Sequence, residues 1–194
     1  MAFCHTRETY AERLLQGVET GSFVRSTGFM LALQIENIKG FMSHLLLKGT
    51  FDRFLVSDIS VTTFTSFHID GVYHPEFYAD DITPEEAENI PDGTQVEWKA
   101  VRPFLLQVIR GKRLPLSFHF VLQYPAEETA VLLDENGLVS DPDEIYGLFL
   151  NLQYRNSALT LTTGSSLKSF TAGHAIDQAW DRSVRELLTA ENIL

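Results

Sequence analysis

Imidazole and carboxylate side chains occur close together at His68, Asp70 and His74, which makes these residues the first candidates for chemistry in the chain. His68 and Asp70 are two positions apart on a predicted strand, so both side chains point to its outward face, and His74 follows a turn. Imidazole and carboxylate groups bind divalent metals and transfer protons. Alternation along a solvent-facing strand also produces such pairs without any function. A metal or catalytic site and plain surface polarity are therefore both open interpretations.

A second candidate site is a row of cations on a helix predicted at 98–110. Lys99, Arg102 and Arg110 fall within an arc of roughly 80° at about 100° per residue, and Arg113 joins them if the helix continues. Such a row can bind phosphate groups of a nucleic acid or another anion. It can also pair with the acidic stretch at 85–97, or form a solvated helix face. All three interpretations stay open.

The segment Thr162–Ser166 reads TTGSS and superficially looks like a small phosphate-binding loop. A phosphate loop needs a Lys-Ser or Lys-Thr ending and a helix directly after it, whereas a strand-like stretch follows here. We therefore expect a turn or bulge built from small residues.

Composition indicates a folded domain. The chain has 194 residues, of which 44% are apolar, and its 14 Phe supply material for one core. The net charge of -11 argues against adventitious binding to nucleic acids or membranes. Apolar runs are too short to span a membrane, and the first residues lack the apolar region of a signal peptide. Cys4 is the sole cysteine, which excludes an intrachain disulfide and a cysteine-rich zinc site. We expect a cytoplasmic protein with no cofactor.

Residues 1–29 differ from the remainder, since 19–28 is polar, contains glycine and is poor in apolar residues. One interpretation is a genuine N-terminal arm with a short amphipathic helix around Tyr10–Val18. The other is translated upstream sequence, with Met30 as the natural start. Residues 30–194 are predicted to form a single domain.

Hydrophobic periodicity predicts an α+β fold within 30–194, with an antiparallel sheet of about five strands and three to four helices on one face. The sheet is completed by a hairpin over Tyr146–Phe170 that turns at Arg155–Ser157. The remaining predicted elements, in chain order, are a strand at Leu31–Ile35, a helix at Asn37–Lys48, a β-rich run at Phe54–Ile69, a returning strand at Val72–Tyr78, a helical turn at Pro84–Glu88, the helix Trp98–Arg110, a strand at Leu114–Tyr124, and helices at Ala126–Asp134 and Ala175–Ala190. On the β-rich run we expect Leu55, Ile59, Val61, Phe67 and Ile69 to share one face.

Several blocks resemble an uncharacterised bacterial family, a domain of unknown function in small proteins of Gram-positive, clostridia-like bacteria. They are FMSHLLLKGTFDRF, SVTTFTSFHIDG, RGKRLPLSFHFVLQ, GLFLNLQYRNSALTLTTGSSLKSF and the closing helix with Trp180. The resemblance covers about residues 30–190, implies a bacterial cytoplasmic protein and supplies no active-site residues. The order of elements is also similar to one domain of a DNA sliding clamp, although that domain lacks the closing helix. In clamps, helices with basic faces line the DNA channel, which would suit Lys99, Arg102 and Arg110.

These observations favour a non-catalytic cytoplasmic domain that binds or assembles with protein, either another copy or a different chain, through an apolar patch or the acidic loop. One alternative is a clamp-like module associated with nucleic acid. The other is an enzyme or metal site around His68, Asp70 and His74. No membrane partner is expected.

Overall fold

Six antiparallel strands and four α-helices make up the described part of the computed structural model. This part comprises residues 30–78, 80–81, 83, 90–91, 93–111, 113–138, 145–168 and 173–194. The strands are β1 (Ala32–Ile35), β2 (Leu55–Thr62), β3 (Ser66–Ile69), β4 (Ser117–Gln123), β5 (Ile145–Arg155) and β6 (Ala158–Leu167), and the helices are α1 (Ile38–Leu46), α2 (Trp98–Ile109), α3 (Ala126–Glu135) and α4 (Gly173–Ala190). The strand order is β1-β6-β5-β4-β2-β3, with every neighbouring pair antiparallel. The predicted α+β class is confirmed, with one strand more than expected.

The helices pack on one face of the sheet because alternate strand residues present apolar side chains there. Phe120 of β4, Leu150 of β5 and Leu161 of β6 are fully buried on this face. Trp98 and Trp180 lie in the same core, and their indole N–H groups donate to the carbonyl oxygens of Leu45 and Phe149 at 2.9 and 3.0 Å. Each indole ring is therefore buried while its N–H group keeps a hydrogen-bond acceptor.

The β-rich run predicted at 54–69 forms a hairpin of two strands. β2 and β3 are joined by Thr63–Thr65, where the Thr63 N–H donates to the Thr65 carbonyl oxygen at 2.8 Å. A register shift between Val56 and Asp58 also puts Val56 in the core, whereas Leu55 is only half-buried. The prediction that Leu55 shares a face with Ile59, Val61, Phe67 and Ile69 is therefore wrong for Leu55.

The strand predicted at Val72–Tyr78 is also wrong. Val72 makes an isolated bridge with Gln95, and Pro75–Tyr78 forms a 3₁₀-helix. Pro75 has no N–H to donate to a ladder, which favours this break.

The turn predicted at Arg155–Ser157 in the C-terminal hairpin is confirmed. Asn156 and Ser157 both have positive φ, 52° and 63°, and they connect β5 directly to β6. The turn predicted at Thr162–Ser166 is wrong, because these residues lie within β6. The pairing does shift register beside them, but the extra residue is on β5, between Ile145 and Gly147, opposite Ser166 and Leu167.

Two predictions lie outside the described residues, namely the N-terminal extension over 1–29 and the helical turn at Pro84–Glu88. Within the residues that the structure describes, none of the helices has the length and apolar character required to cross a membrane.

Candidate interaction surface

Three large apolar side chains are exposed together at one end of the sheet. Phe64 in the β2–β3 turn is 93% exposed, and Leu114 and Leu116 in the α2–β4 connection are 77% and 70% exposed. The two segments are adjacent because the Leu116 N–H donates to the Thr62 carbonyl oxygen at 2.8 Å. We call Phe64, Leu114 and Leu116 the apolar end.

The β2–β3 turn holds Phe64 outward because of its neighbours. Thr63 closes the turn on Thr65, and the Phe67 ring, half-buried on β3, meets the Phe64 ring edge-on at a centroid distance of 6.2 Å. An edge-to-face pair of this kind orients an aromatic ring without covering it. Phe64 is therefore positioned by contacts on one side and accessible on the other.

Three exposed arginines accompany the apolar end. Arg110 and Arg113 belong to the α2–β4 connection that carries Leu114 and Leu116, and Arg155 at the end of β5 lies opposite Ser117. Within the described part of the chain, no acidic group lies within 4.0 Å of any of these guanidinium groups. Their charges are available to a partner.

Charge is segregated along the chain in a way that reinforces this surface. The segments 59–69 and 98–126, which supply β3, α2, β4 and all three residues of the apolar end, contain no Asp or Glu. The segment 98–126 carries Lys99, Arg102, Arg110, Lys112 and Arg113. Of these cations, Arg110 and Arg113 lie in the connection that carries the apolar end, in a chain of net charge -11.

The predicted row of cations on α2 is divided by the fold. Lys99 is exposed near the start of the helix, and Arg110 and Arg113 lie beyond its other end. Arg102 is mostly buried, because its guanidinium group forms an ion pair with Asp52, with Nε 2.6 Å from Oδ1. The structure therefore brings Arg110 and Arg113 together with the apolar end and places Arg102 in an internal contact.

His68, Asp70 and His74 each have a different partner. His68 Nδ1 lies 3.5 Å from Asp58 Oδ1, and His74 Nδ1 lies 3.0 Å from Glu76 Oε1. Asp70 Oδ1 accepts from the Val72 N–H at 3.1 Å, which closes a turn. Across the described residues, no three His, Cys, Asp or Glu side chains are placed to share a metal ion.

Sequence reasoning missed a polar cluster on the sheet face away from the helices. Ser60 of β2 lies directly between His68 of β3 and His119 of β4, and Asp58 is on the same face. Burial lowers the pKa of His119, and the nearby Asp58 carboxylate opposes that shift. His119 and His68 are distant in sequence and become neighbours only through the register of the strands. The sequence alone therefore did not indicate this cluster.

A second missed set ties α4 to β6. Thr163 Oγ1 donates to Asp181, and Ser165 Oγ donates to Asp177 Oδ1 at 2.5 Å. The Leu31 N–H donates to both Thr163 Oγ1 and Asp181 Oδ1, at 2.9 and 3.0 Å. Hydroxyl groups of the TTGSS segment therefore hold the helix and β1 in place.

Buried His44 joins α1 to the end of the chain. Its Nδ1 lies 3.2 Å from Glu191 Oε2 and 3.1 Å from Thr50 Oγ1, and its Nε2 lies 2.9 Å from Lys48 Nζ. Because Glu191 is so distant in sequence from His44, only the fold could reveal this contact. Its chemistry is that of a structural hydrogen-bond network.

The family resemblance is confirmed, although it supplies no activity. A family of unknown function matches the chain from His44 within α1 to Leu194, whereas the bacterial origin and the clamp analogy remain predictions. No curated protein and no solved structure matches the chain. The chain belongs to this family of unknown function, DUF5721, whose model matches residues 44–194.

Proposed function

We propose that the chain is a non-catalytic, cytoplasmic binding domain that contacts a protein partner through the apolar end. The observation that supports this proposal most strongly is the joint exposure of Phe64, Leu114 and Leu116, at 93%, 77% and 70%. Keeping apolar area in water costs about 25 cal/mol per Å², and contiguous exposed apolar patches mark interaction sites. A partner that covers these side chains removes that cost.

The arginines define the chemistry of the partner. Arg110 and Arg113 precede Leu114 and Leu116 in the same connection, and Arg155 lies opposite Ser117. An interface commonly places apolar anchors at its centre and charges at its rim. Rim charges increase association rates and select partners of opposite charge. The partner we propose therefore presents apolar side chains flanked by Asp or Glu.

A binding role is favoured over a catalytic one by the arrangement of the titratable groups. His68, Asp70 and His74 are each engaged with a separate neighbour. Catalytic acid–base pairs need to converge on one reacting atom. The single cysteine, Cys4, suits a reducing compartment such as the cytoplasm.

Nucleic acid is the second candidate partner, because arginines beside an exposed aromatic ring can bind single strands. The composition of the apolar end favours protein, however. Leu114 and Leu116 have no π-face on which a base can stack, and Arg102, one of the cations predicted to face phosphates, is engaged with Asp52.

The proposal can be tested by NMR titration with a soluble ten-residue peptide that alternates acidic residues with Leu and Phe. We expect saturable changes in the amide signals of Phe64, Leu114 and Leu116, and their loss in the Phe64→Ser variant. A matched peptide with Lys in place of the acids is the control and should not bind. Absence of changes at the apolar end up to about 1 mM peptide, a concentration that would detect binding of only ~4 kcal/mol, would overturn the proposal. Changes produced there by an oligothymidylate and not by the peptide would favour nucleic acid instead.

A further inference from the structure

We infer that the partner segment binds beside the apolar end as an added antiparallel strand, which pairs with the outer edge of β3 and extends the six-stranded sheet. This inference rests on the proposed function, since its occupant is the same acidic and apolar protein segment. The segment would be extended, and main-chain hydrogen bonds would hold it in place.

β3 is one of the two edge strands of the sheet, and its inner neighbour is β2. The Thr62 carbonyl oxygen of β2 faces away from β3, because it accepts from the Leu116 N–H on the side of β4. Successive residues of a strand direct their main-chain groups to alternate sides. The next residue, Val61, therefore directs its N–H and C=O groups toward its partner Phe67 on β3.

Ser66 and His68, which flank Phe67, consequently direct their N–H and C=O groups to the outer edge of the sheet. Both residues are exposed. Among the described residues, no hydrogen bond outside the β2–β3 ladder reaches the main chain of either one. The open edge ends at Asp70, whose side chain closes a turn. It therefore presents the donors and acceptors of Ser66 and His68 to an incoming strand.

The sequence around this edge lacks the features that discourage pairing. Edge strands that stay unpaired usually carry charged residues or proline. The segment 59–69, which contains all of β3 and the turn with Phe64, has no Asp, Glu, Lys, Arg or Pro. The edge is thus an unprotected template for another strand, directly beside an exposed aromatic ring of the apolar end.

The side chains of β3 define the pattern of the strand that fits. Phe67 and Ile69 are half-buried on the face that the helices cover, whereas Ser66 and His68 lie on the open face. Because side chains alternate between faces, a segment with an apolar residue at every second position would cover Phe67 and Ile69. Its acidic residues would then lie beside Ser66 and His68. Asp58, the acidic neighbour of His68, belongs to β2 and so lies on the inner side of that ring.

Ser66→Pro, with Ser66→Ala as its matched control, tests the inference. Both substitutions remove the hydroxyl group that bonds to Thr62 Oγ1, but only proline also removes the outward N–H. Proline is tolerated at the first residue of an edge strand, so both variants should fold, which circular dichroism and thermal melting verify. The measurement is the dissociation constant of the acidic Leu/Phe peptide. We expect Ser66→Pro to weaken binding at least about fivefold and Ser66→Ala by less than about twofold.

Two N-methylated peptides provide a second measurement on the unmodified chain. Residues directly opposite each other in an antiparallel pair share a face, so the N–H groups of the acidic residues would point to Ser66 and His68. Methylation of two central acidic residues at nitrogen should weaken binding at least about fivefold, and methylation of two central apolar residues by less than about twofold. The opposite pattern would make the added strand parallel and overturn the antiparallel pairing.

Equal binding by Ser66→Pro and Ser66→Ala, together with equal binding of the two methylated peptides, would overturn the inference. If the peptide still changes the amide signals of Phe64, Leu114 and Leu116, the proposed function stands and only the added strand is excluded. A peptide that does not bind the unmodified chain removes both. Amide changes at Ser66 and His68 that follow protein concentration without peptide would assign the edge to a second copy and would also overturn the inference.

Discussion

Arg102 and Asp52 form a two-point ion pair, with Nε 2.6 Å from Oδ1 and Nη2 3.1 Å from Oδ2. The same guanidinium group donates from Nη1 to the carbonyl oxygens of Leu46 and Leu47, at 3.0 and 3.3 Å. Carbonyls at a helix C-terminus lack intrahelical partners, and a cation there stabilises them. Arg102 of α2 therefore binds the C-terminal end of α1 and holds the two helices together.

Replacement of Arg102 by Ala should lower the free energy of unfolding by roughly 1–3 kcal/mol, because it leaves Asp52 and the α1 carbonyls without their donor. Arg102→Lys should recover only part of the loss, since an ammonium group cannot make the two-point contact. Urea unfolding measures both effects. Arg113→Ala is the matched control and should change stability by less than about 0.5 kcal/mol. Equal losses at Arg102 and Arg113 would show that the ion pair contributes nothing specific.

The turn between β5 and β6 should be improved by Ser157→Gly. Ser157 has a φ of 63°, a conformation that costs a residue with a Cβ atom roughly 1 kcal/mol and costs glycine little. Asn-Gly is also the preferred pair for a two-residue hairpin turn. We expect a gain of about 0.5–1 kcal/mol in unfolding free energy. Thr160→Gly, an extended position in the same hairpin, should instead destabilise the protein. A loss of stability in Ser157→Gly would contradict the turn geometry.

The C-terminal hairpin was predictable because its alternation is regular and its turn contains Asn156. The β2–β3 hairpin was not, since Thr63, Phe64 and Thr65 include none of the residues that usually mark a turn. The chain folds back there because the two strands pair and share a buried face. This is a tertiary effect, which the β-propensities of the individual residues do not predict. The register shift between Val56 and Asp58, which places Leu55 outside the core, likewise could not be predicted from the local sequence.

The candidate surface was only partly predictable for the same reason. The cations Arg110 and Arg113 were identified from spacing, but their neighbour Phe64 belongs to a distant segment joined to them through the Thr62–Leu116 hydrogen bond. The role of Arg102 depends on Asp52, which is 50 residues away. Strand order and register, which no local pattern encodes, decide which of these residues meet.

Asp177→Asn should make the protein more stable relative to the unmodified chain as pH rises. Burial, with a smaller contribution from Asp181, raises the pKa of Asp177 above its ordinary value of 3.8, and the Ser165 hydrogen bond partly opposes this. The folded protein therefore holds this proton more tightly than the unfolded chain, and the associated stability is lost as pH rises from below 3.8 through the raised value. The asparagine stays neutral throughout.

Urea unfolding of both proteins at a series of pH values, from below 3.8 to neutrality, measures this difference. Asp70→Asn, at an exposed position in the turn after β3, serves as the charge-matched control. If Asp177→Asn instead lost stability relative to the unmodified chain as pH rises, the change would have the wrong sign. That result would contradict the partly buried environment of Asp177.

Asp58→Asn should lower the pKa of His119 further. Burial already lowers the pKa of this imidazole below 6.5, and the Asp58 charge is the group that opposes the shift. Removing a nearby negative charge disfavours the protonated ring. NMR titration of the imidazole C–H signals of His119 measures this pKa. An unchanged or higher pKa for His119 would show that Asp58 does not act on it.

The central claim, that the arginine-flanked apolar end binds an acidic and apolar protein segment, is tested most directly by comparing Arg113→Glu with Lys99→Glu. Both substitutions change the net charge equally, but Lys99 lies near the far end of α2, about 15 Å along the helix from Ile109. The measurement is the dissociation constant of the acidic Leu/Phe peptide by isothermal titration calorimetry. We predict that Arg113→Glu weakens binding about fivefold or more, roughly 1 kcal/mol, while Lys99→Glu changes it by less than about twofold. Equal weakening by both variants would mean that binding follows only the overall charge and would contradict a localised interaction surface.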